Sequence, residues 1–160
     1  MTLPSLERTV THSTFVIERN YSKPVERVFA AFSDPARKRR WYAEGEGRGV
    51  LEFSMDFRVG GSDHAVFAVD HGPVQGSLIT NDTVYQDIVP NQRIVMAYRM
   101  SLGDRCFSAS LATVEFLSTG QGTSLVFTEQ GAYFEGGDGP QLREKGWSGL
   151  LDGLDKILAE

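Results

Sequence analysis

Residues 146–158 read GWSGLLDGLDKIL, and this stretch decides the fold. Its large apolar side chains recur with a period of about 3.6 residues, while charged side chains occupy other positions. The pattern predicts a long amphipathic helix at the C-terminal end of the sequence. The apolar stripe comprises Trp147, Leu150, Leu151, Leu154 and Ile157. The charged residues expected to lie off this stripe are Arg143, Glu144, Asp152, Asp155 and Lys156.

The segment that precedes this helix alternates with a period of two, which is typical of strands with one buried face. Glycine, proline and asparagine separate the alternating runs and favour the tight turns of hairpins. We therefore predict a meander of antiparallel strands. The alternating runs are 50–59, 62–70, 76–89, 92–102, 105–117 and 123–134. The turns between them are predicted at 60–61, 71–73, 90–91, 103–104 and 120–122.

The beginning of the sequence predicts one strand and two short helices. TFVIERNY, residues 14–21, is rich in aromatic and β-branched residues and predicts the first strand. KPVERVFAAFSD, residues 23–34, spaces its apolar residues as a helix does. Asp34 and Pro35 then suit the cap and the first position of a second short helix over residues 36–43.

This order of elements predicts an α+β fold of the helix-grip type. An antiparallel sheet with one apolar face must cover that face, and the C-terminal helix is the largest available cover. We expect a curved antiparallel sheet of about six to seven strands around this helix, with two short helices after the first strand. Residues 1–11 are predicted to form a flexible tail and residues 12–160 a single domain. A gap between the curved sheet and the helix would be a natural ligand cavity.

Three glycines, Gly146, Gly149 and Gly153, lie inside the predicted helix. Each costs about 1 kcal/mol relative to alanine in a helix interior. Close approach of another backbone, space kept for a ligand, and an imperfection tolerated by packing are three explanations that the sequence leaves open.

Composition and charge exclude several classes of protein. Apolar residues make up 41% and charged residues 23% of the chain, as in ordinary globular proteins. The net charge of −5 argues against a nucleic-acid partner. No apolar run approaches the ~20 residues of a membrane span, and the N-terminus lacks the apolar core of a signal peptide, so we expect no integral membrane contact and a cytoplasmic location. The lone Cys106 is interpreted as a strand residue rather than a nucleophile.

The stretch SDPARKRRWYAEGEG, residues 33–47, contains four consecutive basic residues. Successive helix positions turn by about 100°, so residues 37–40 cannot form one basic face. We interpret them as a solvated helix end, with a weak anion or membrane contact and a partner surface as alternatives. Trp41 is expected to pack inward at the cavity entrance, and Glu44 and Glu46 to form a mobile lip.

The motifs of metal, nucleotide and hydrolytic sites are missing from the sequence. His64 and His71 are seven residues apart, an odd offset that places them on opposite faces of a regular strand, and His12 lies in the predicted tail. There is no Gly-x-Ser-x-Gly elbow and no phosphate-binding loop. We therefore predict no metal and no cofactor.

Inward-facing aromatic, methionine and leucine residues are the candidates for contact with a ligand. Methionine adapts to irregular shapes, and a buried tyrosine hydroxyl needs a polar partner. Glu129 shares strand parity with Leu125 and Phe127, so an inward carboxylate there would mark a functional site. Glu129 and His64 are the candidates for acid–base catalysis. The predicted ligand-binding residues are Trp41, Phe67, Tyr85, Met96, Tyr98, Met100, Phe127, Trp147, Leu150 and Leu151.

The sequence resembles the bacterial branch of the Hsp90-ATPase-activator-homologue (AHSA1-like) family, within the START/Bet v 1-like (SRPBCC) superfamily. The resemblance covers residues 12–159 and rests on PVERVFAAFSDPARKRRWYA, FRVGG, YQDIVPNQRIVMAYRM, ASLATVEFLSTGQGTSLVFTEQGAYF and GWSGLLDGLDKIL. It implies a hydrophobic cavity that in related proteins receives lipids, sterols, polyketides or plant hormones. Co-chaperones of the family carry an additional N-terminal domain for which this chain has no room, so Hsp90 is not expected as a partner.

Three functions compete at this point. The first is binding of a small hydrophobic molecule, such as a lipid or an aromatic or polyketide-like compound, in the cavity. The second is a cyclase, dehydratase or hydrolase acting on such a molecule. The third is a stress-related or co-chaperone-like interaction module. The exposed sheet edge is compatible with a monomer or a homodimer.

Overall fold

A computed structural model describes residues 7–45, 49–70 and 72–160. The chain begins with a long strand, continues through two short helices and a π-helical turn, and then forms six further strands and a final helix. The strands are β1 (Val10–Tyr21), β2 (Gly49–Met55), β3 (Ser62–Ala68), β4 (Leu78–Val89), β5 (Arg93–Leu102), β6 (Arg105–Thr119) and β7 (Gly122–Phe134). The helices are α1 (Val25–Ser33), α2 (Pro35–Lys38) and α3 (Gly139–Leu158), and the π-helical turn covers Arg39–Ala43.

All seven strands belong to one antiparallel sheet in the order β1-β7-β6-β5-β4-β3-β2. The first strand therefore pairs with the last, while the other strands follow one another as a meander. Tyr21 on β1 donates a hydrogen bond to the Leu151 carbonyl of α3 (3.0 Å). The predicted helix-grip architecture, with two short helices after the first strand, is confirmed. No helix in the described part of the chain is long and apolar enough to cross a membrane.

The first strand begins earlier than the sequence indicates. The prediction places its start at residue 14, whereas Val10 and Thr11 already pair with Phe134 and Tyr133 of β7. These two positions belong to the sheet and not to a tail, because β7 is long enough to supply their hydrogen-bond partners.

The inward faces of the central strands are as predicted. Ile94, Met96 and Tyr98 are buried on β5, as are Leu125 and Phe127 on β7. The turns before β5 and β6 contain Asn91 and Gly103, both with positive φ angles (63° and 56°), as tight hairpin connections require. Strand parity is therefore a sound guide to the core in this half of the sheet.

The π-helical turn buries two consecutive aromatic side chains. Trp41 donates a hydrogen bond from Nε1 to the Ala31 carbonyl (2.8 Å), which fixes the turn against α1. Tyr42 instead packs towards α3, with its ring centroid 6.2 Å from that of Trp147. The wider π-helical turn replaces the regular end of the predicted second helix. The predicted cap is present, because Asp34 accepts from the Ala36 amide (2.9 Å).

Two basic residues predicted to lie outside the apolar core are buried. Lys38 belongs to the run 37–40 that we interpreted as a solvated helix end, yet only 4% of its surface is exposed. Arg143, predicted to lie off the apolar stripe of α3, is also buried. Both predictions are wrong, because each side chain has carboxylate partners inside the protein.

Candidate ligand-binding cavity

A cavity of about 310 Å³ lies between α3 and the inner face of strands β3, β4 and β5. This volume falls at the small end of the range for ligand sites in proteins. Its walls combine aromatic and aliphatic side chains with a few polar groups. The lining residues are Tyr42, Gly49, Phe67, Ala68, Val69, Asp70, Ile79, Asn81, Tyr98, Met100, Asp138, Leu142, Arg143, Gly146, Trp147 and Leu150.

Half of the predicted ligand-binding residues line this cavity. They are Phe67, Tyr98, Met100, Trp147 and Leu150. The other five predicted residues are buried in the protein core and do not line it. They are Trp41, Tyr85, Met96, Phe127 and Leu151.

Three of the five residues outside the cavity pack directly against other aromatic rings. The ring centroids of Phe127 and Trp147 are 4.3 Å apart, and those of Trp41 and Phe32 are 4.9 Å apart. The ring centroids of Tyr85 and Phe57 are also 4.9 Å apart. These three side chains are therefore part of the aromatic core.

A network of buried hydrogen bonds adjoins the polar wall of the cavity. Glu129 is 0% exposed, as its strand parity predicts, and accepts hydrogen bonds from the hydroxyls of Tyr98, Tyr133 (2.5 Å) and Ser110 (3.2 Å). Glu129 itself does not line the cavity. Its link to the cavity runs through Tyr98 and Arg143, which do line it.

Arg143 joins this network to the start of α3. Its Nε and Nη2 atoms donate to both carboxylate oxygens of Asp138 (2.8 and 2.9 Å), and Nη2 also donates to Ser108 (2.8 Å). Its Nη1 donates to the Tyr98 hydroxyl (3.0 Å) and lies 3.6 Å from a Glu129 oxygen. We call this group, formed by Tyr98, Ser108, Glu129, Asp138 and Arg143, the Arg143 cluster.

The surroundings of Glu129 keep Arg143 and the two neighbouring tyrosines, Tyr98 and Tyr133, protonated. Burial, followed by the charge of Glu129, raises the pKa of Tyr98 well above its ordinary value. Burial and the hydrogen bond to Glu129 raise the pKa of Tyr133 as well. Burial alone would lower the pKa of Arg143, but its hydrogen bonds to Asp138 and the nearby negative charges raise it. The tyrosine hydroxyls therefore act as hydrogen-bond donors to Glu129 at neutral pH.

A second buried ion pair lies outside the cavity. Lys38 Nζ donates to Asp63 Oδ2 (2.9 Å) and to the Tyr85 hydroxyl (3.2 Å), and Tyr85 donates to the same Asp63 oxygen (2.5 Å). Lys38 Nζ also lies 5.1 Å from the ring centre of Tyr42, which lines the cavity. We call Lys38, Asp63 and Tyr85 the Lys38 cluster. It ties α2 to strands β3 and β4.

His64 faces away from the cavity. Strand alternation turns Asp63 inward and His64 to the opposite face of β3, where its Nδ1 lies 2.6 Å from Asp82 and its Nε2 lies 3.2 Å from Glu52. The hydrogen bond to Asp82 is the main reason that the pKa of His64 is raised. The imidazole of His64 is therefore on the outer face of the sheet and does not line the cavity.

Two predicted features fall on residues that the structure does not describe. The predicted turn at residues 71–73 includes His71, and the predicted lip includes Glu46; both residues lie outside the described ranges. Within residues 7–45, 49–70 and 72–160, no group of three or more His, Cys, Asp or Glu side chains could hold a metal ion.

Sequence reasoning missed several cavity residues for which a signal exists. Arg143 precedes Trp147 by four positions, so both lie on one face of α3. Asn81 shares strand parity with Thr83 and Tyr85, both of which are buried. Arg143 and Asn81 were missed because polar side chains were not considered for the inward faces of the helix and of this strand.

The fold and the cavity together define a helix-grip protein. The family model for Activator of Hsp90 ATPase homolog 1-like protein matches residues 22–159. The chain belongs to this family.

Solved structures agree with this assignment. A protein from Rhizobium leguminosarum is 41% identical, with a TM-score of 0.87, over 95% of this chain and 97% of that chain. The Mll3558 protein from Rhizobium loti is 49% identical, with a TM-score of 0.83, over 93% and 99% of the two chains. An AHSA1-like protein from Aeromonas hydrophila, at 21% identity and a TM-score of 0.66 over 92% of each chain, shares the fold. No match was found among curated proteins.

Proposed function

We propose that this protein binds a small, mainly apolar molecule in the cavity between α3 and strands β3, β4 and β5. One observation carries the proposal: the inner face of the sheet and α3 do not close on each other, and about 310 Å³ remains between them. The walls of this space include Phe67, Met100, Trp147 and Leu150. Apolar surface of this kind gains free energy when a ligand removes it from water, at about 25 cal/mol per Å².

The volume limits the size of the molecule. Water takes up ~30 Å³ per molecule in the liquid, so the cavity is on the order of ten waters in size. A compound of one or two fused rings fits this space. A sterol or a two-chain lipid would need the cavity to enlarge.

A glycine on the cavity wall allows the proposal to be tested by filling the space. Gly146 lines the cavity, and a Cβ atom built there would meet no other atom within 4 Å. Gly149 lies one turn further along α3, has equally open surroundings and does not line the cavity. Gly146→Phe should therefore obstruct binding, whereas Gly149→Phe serves as a matched control on the same helix.

The experiment has two stages. Native mass spectrometry of freshly purified protein should detect a bound small molecule, and titration with 2-acetylnaphthalene should change the tryptophan fluorescence because Trp147 is in the cavity wall. We expect Gly146→Phe to weaken binding at least about tenfold, or about 1.4 kcal/mol, and Gly149→Phe to leave it unchanged. Equal affinity of the two variants would place the binding site elsewhere and overturn the proposal.

A further inference from the structure

One polar side chain in the cavity wall has an unused hydrogen-bond donor. Asn81 lies on β4, paired with Ala65 on β3 and Met100 on β5, and only 6% of its surface is exposed. Its Oδ1 accepts a hydrogen bond from the Thr83 hydroxyl (3.3 Å). Its Nδ2 makes no hydrogen bond to any of the described residues. Nδ2 is not among the fully buried atoms that lack a partner, so it is accessible from the cavity that Asn81 lines. A ligand atom that accepts from this donor would add a hydrogen bond in an otherwise mainly apolar space.

The other polar groups at this end of the cavity already have partners. The Tyr98 hydroxyl donates to Glu129 and accepts from Arg143 and from Nε1 of Trp147 (3.1 Å). Every nitrogen of the Arg143 guanidinium donates to a protein oxygen. These bonds use four of the five N–H groups of Arg143, and the fifth is on Nη1, which lies 3.6 Å from a Glu129 oxygen. The Tyr98 hydroxyl and the Trp147 indole offer a ligand no new hydrogen bond unless an existing one breaks.

The charges beside the cavity are also unfavourable to an anion. Arg143 faces two carboxylates, Glu129 at 3.6 Å and Asp138 at 2.8 Å. One guanidinium between two carboxylates leaves no excess positive charge for an acidic ligand. A ligand carboxylate would lose its hydration without gaining a cationic partner.

We infer that Asn81 selects the ligand of this cavity: a small neutral molecule with a hydrogen-bond acceptor, such as a ketone or ester carbonyl oxygen, that accepts from Asn81 Nδ2. Carboxylates of the same size are rejected. This inference rests on the proposed function, since it names the chemical class that the same cavity binds. It assigns to Asn81 the role of a specificity-determining residue.

Three probes of nearly equal shape separate the possibilities: 2-isopropenylnaphthalene, 2-acetylnaphthalene and 2-naphthoate. The wild-type protein should bind the ketone about tenfold more tightly than the alkene, as expected for one added hydrogen bond, and should bind the carboxylate most weakly. Asn81→Leu removes the donor and keeps a similar branched shape. In this variant the ketone and the alkene should bind equally.

A second variant guards against misfolding of the first. Asn81→Val has a β-branched side chain that strands favour, removes the Nδ2 donor and should also lose the preference for the ketone. A ketone preference that persists in either variant, or a wild-type protein that binds 2-naphthoate most tightly, would overturn the inference. Binding of 2-isopropenylnaphthalene as tightly as the ketone by the wild-type protein would overturn it while leaving the proposed function intact. Failure of all three probes to bind would count against both.

Discussion

The Arg143 cluster and the Lys38 cluster are both buried, and they differ in how completely their polar atoms are paired. In the Arg143 cluster each carboxylate oxygen contacts a donor, and three members, Tyr98, Asp138 and Arg143, line the cavity. In the Lys38 cluster Asp63 Oδ1 has no hydrogen-bond partner among the described residues. The comparison indicates that the complete network forms part of the cavity wall, whereas the incomplete one joins α2 to the sheet.

The largest effect should come from breaking the Lys38 cluster. Lys38→Met leaves the Asp63 carboxylate buried without a cation, and we expect a loss of about 3–5 kcal/mol in the free energy of unfolding. Urea denaturation measures this loss. The triple variant Lys38→Met/Asp63→Leu/Tyr85→Phe removes all the polar partners together and should recover most of it. If the triple variant is no more stable than Lys38→Met, the Lys38–Asp63 ion pair itself stabilises the protein, and the prediction is wrong.

Glu129→Gln should have a smaller effect. Arg143 retains Asp138 as a counter-ion, so the main cost is the mismatch between the glutamine amide group and the hydroxyl donors of Tyr98 and Tyr133, about 1–3 kcal/mol. Glu115→Gln, on the exposed face of β6, is the control and should change stability by less than about 0.5 kcal/mol. If urea denaturation shows that Glu129→Gln lowers the free energy of unfolding more than Lys38→Met does, the predicted order of the two clusters is wrong.

The smallest change in the free energy of unfolding is expected from replacing His64. This residue follows Asp63 in the sequence but lies on the outer face of the sheet. Its side chain is 42% exposed, and its pKa is raised above 6.5, chiefly by the hydrogen bond to Asp82. A raised pKa in the folded state means that the contact stabilises the protein fully at pH values below the unfolded pKa, and that this contribution disappears as the pH rises through the folded pKa.

His64→Gln should therefore destabilise the protein more at about pH 5.5 than at about pH 9. Urea denaturation of both proteins at the two pH values measures the difference, which added salt should reduce because the pair is exposed. A difference that does not vary with pH would show that the imidazole charge contributes nothing.

Much of the fold could be predicted because its signals are local. The period of two in β5 and β7 is uninterrupted around Tyr98 and Glu129, so parity alone places both side chains inward. Lys38 could not be recognised in the same way, since its partner Asp63 is 25 residues away and only the folded chain brings them together. A basic residue in a run of four carries no local sign of burial.

The sequence does not distinguish the residues that line the cavity from those packed in the core, and the reason is different. Phe127 and Met100 are both apolar and both face inward, but Met100 lines the cavity and Phe127 does not. The distinction depends on how far α3 stands from each strand, which is set by packing along the whole helix. Strand parity determines the face on which a side chain lies but not what occupies the space in front of it.

Gly146 has a practical consequence for anyone who seeks a more heat-resistant form of this protein. Replacing helix glycines with alanine is a standard route to higher melting temperature, worth up to about 1 kcal/mol for each site. Gly149 is suited to that exchange, since its surroundings are open and it does not line the cavity. At Gly146 the same exchange would raise the melting temperature but would also place a methyl group in the cavity wall and reduce the volume available to a bound molecule. The two glycines should therefore be engineered separately.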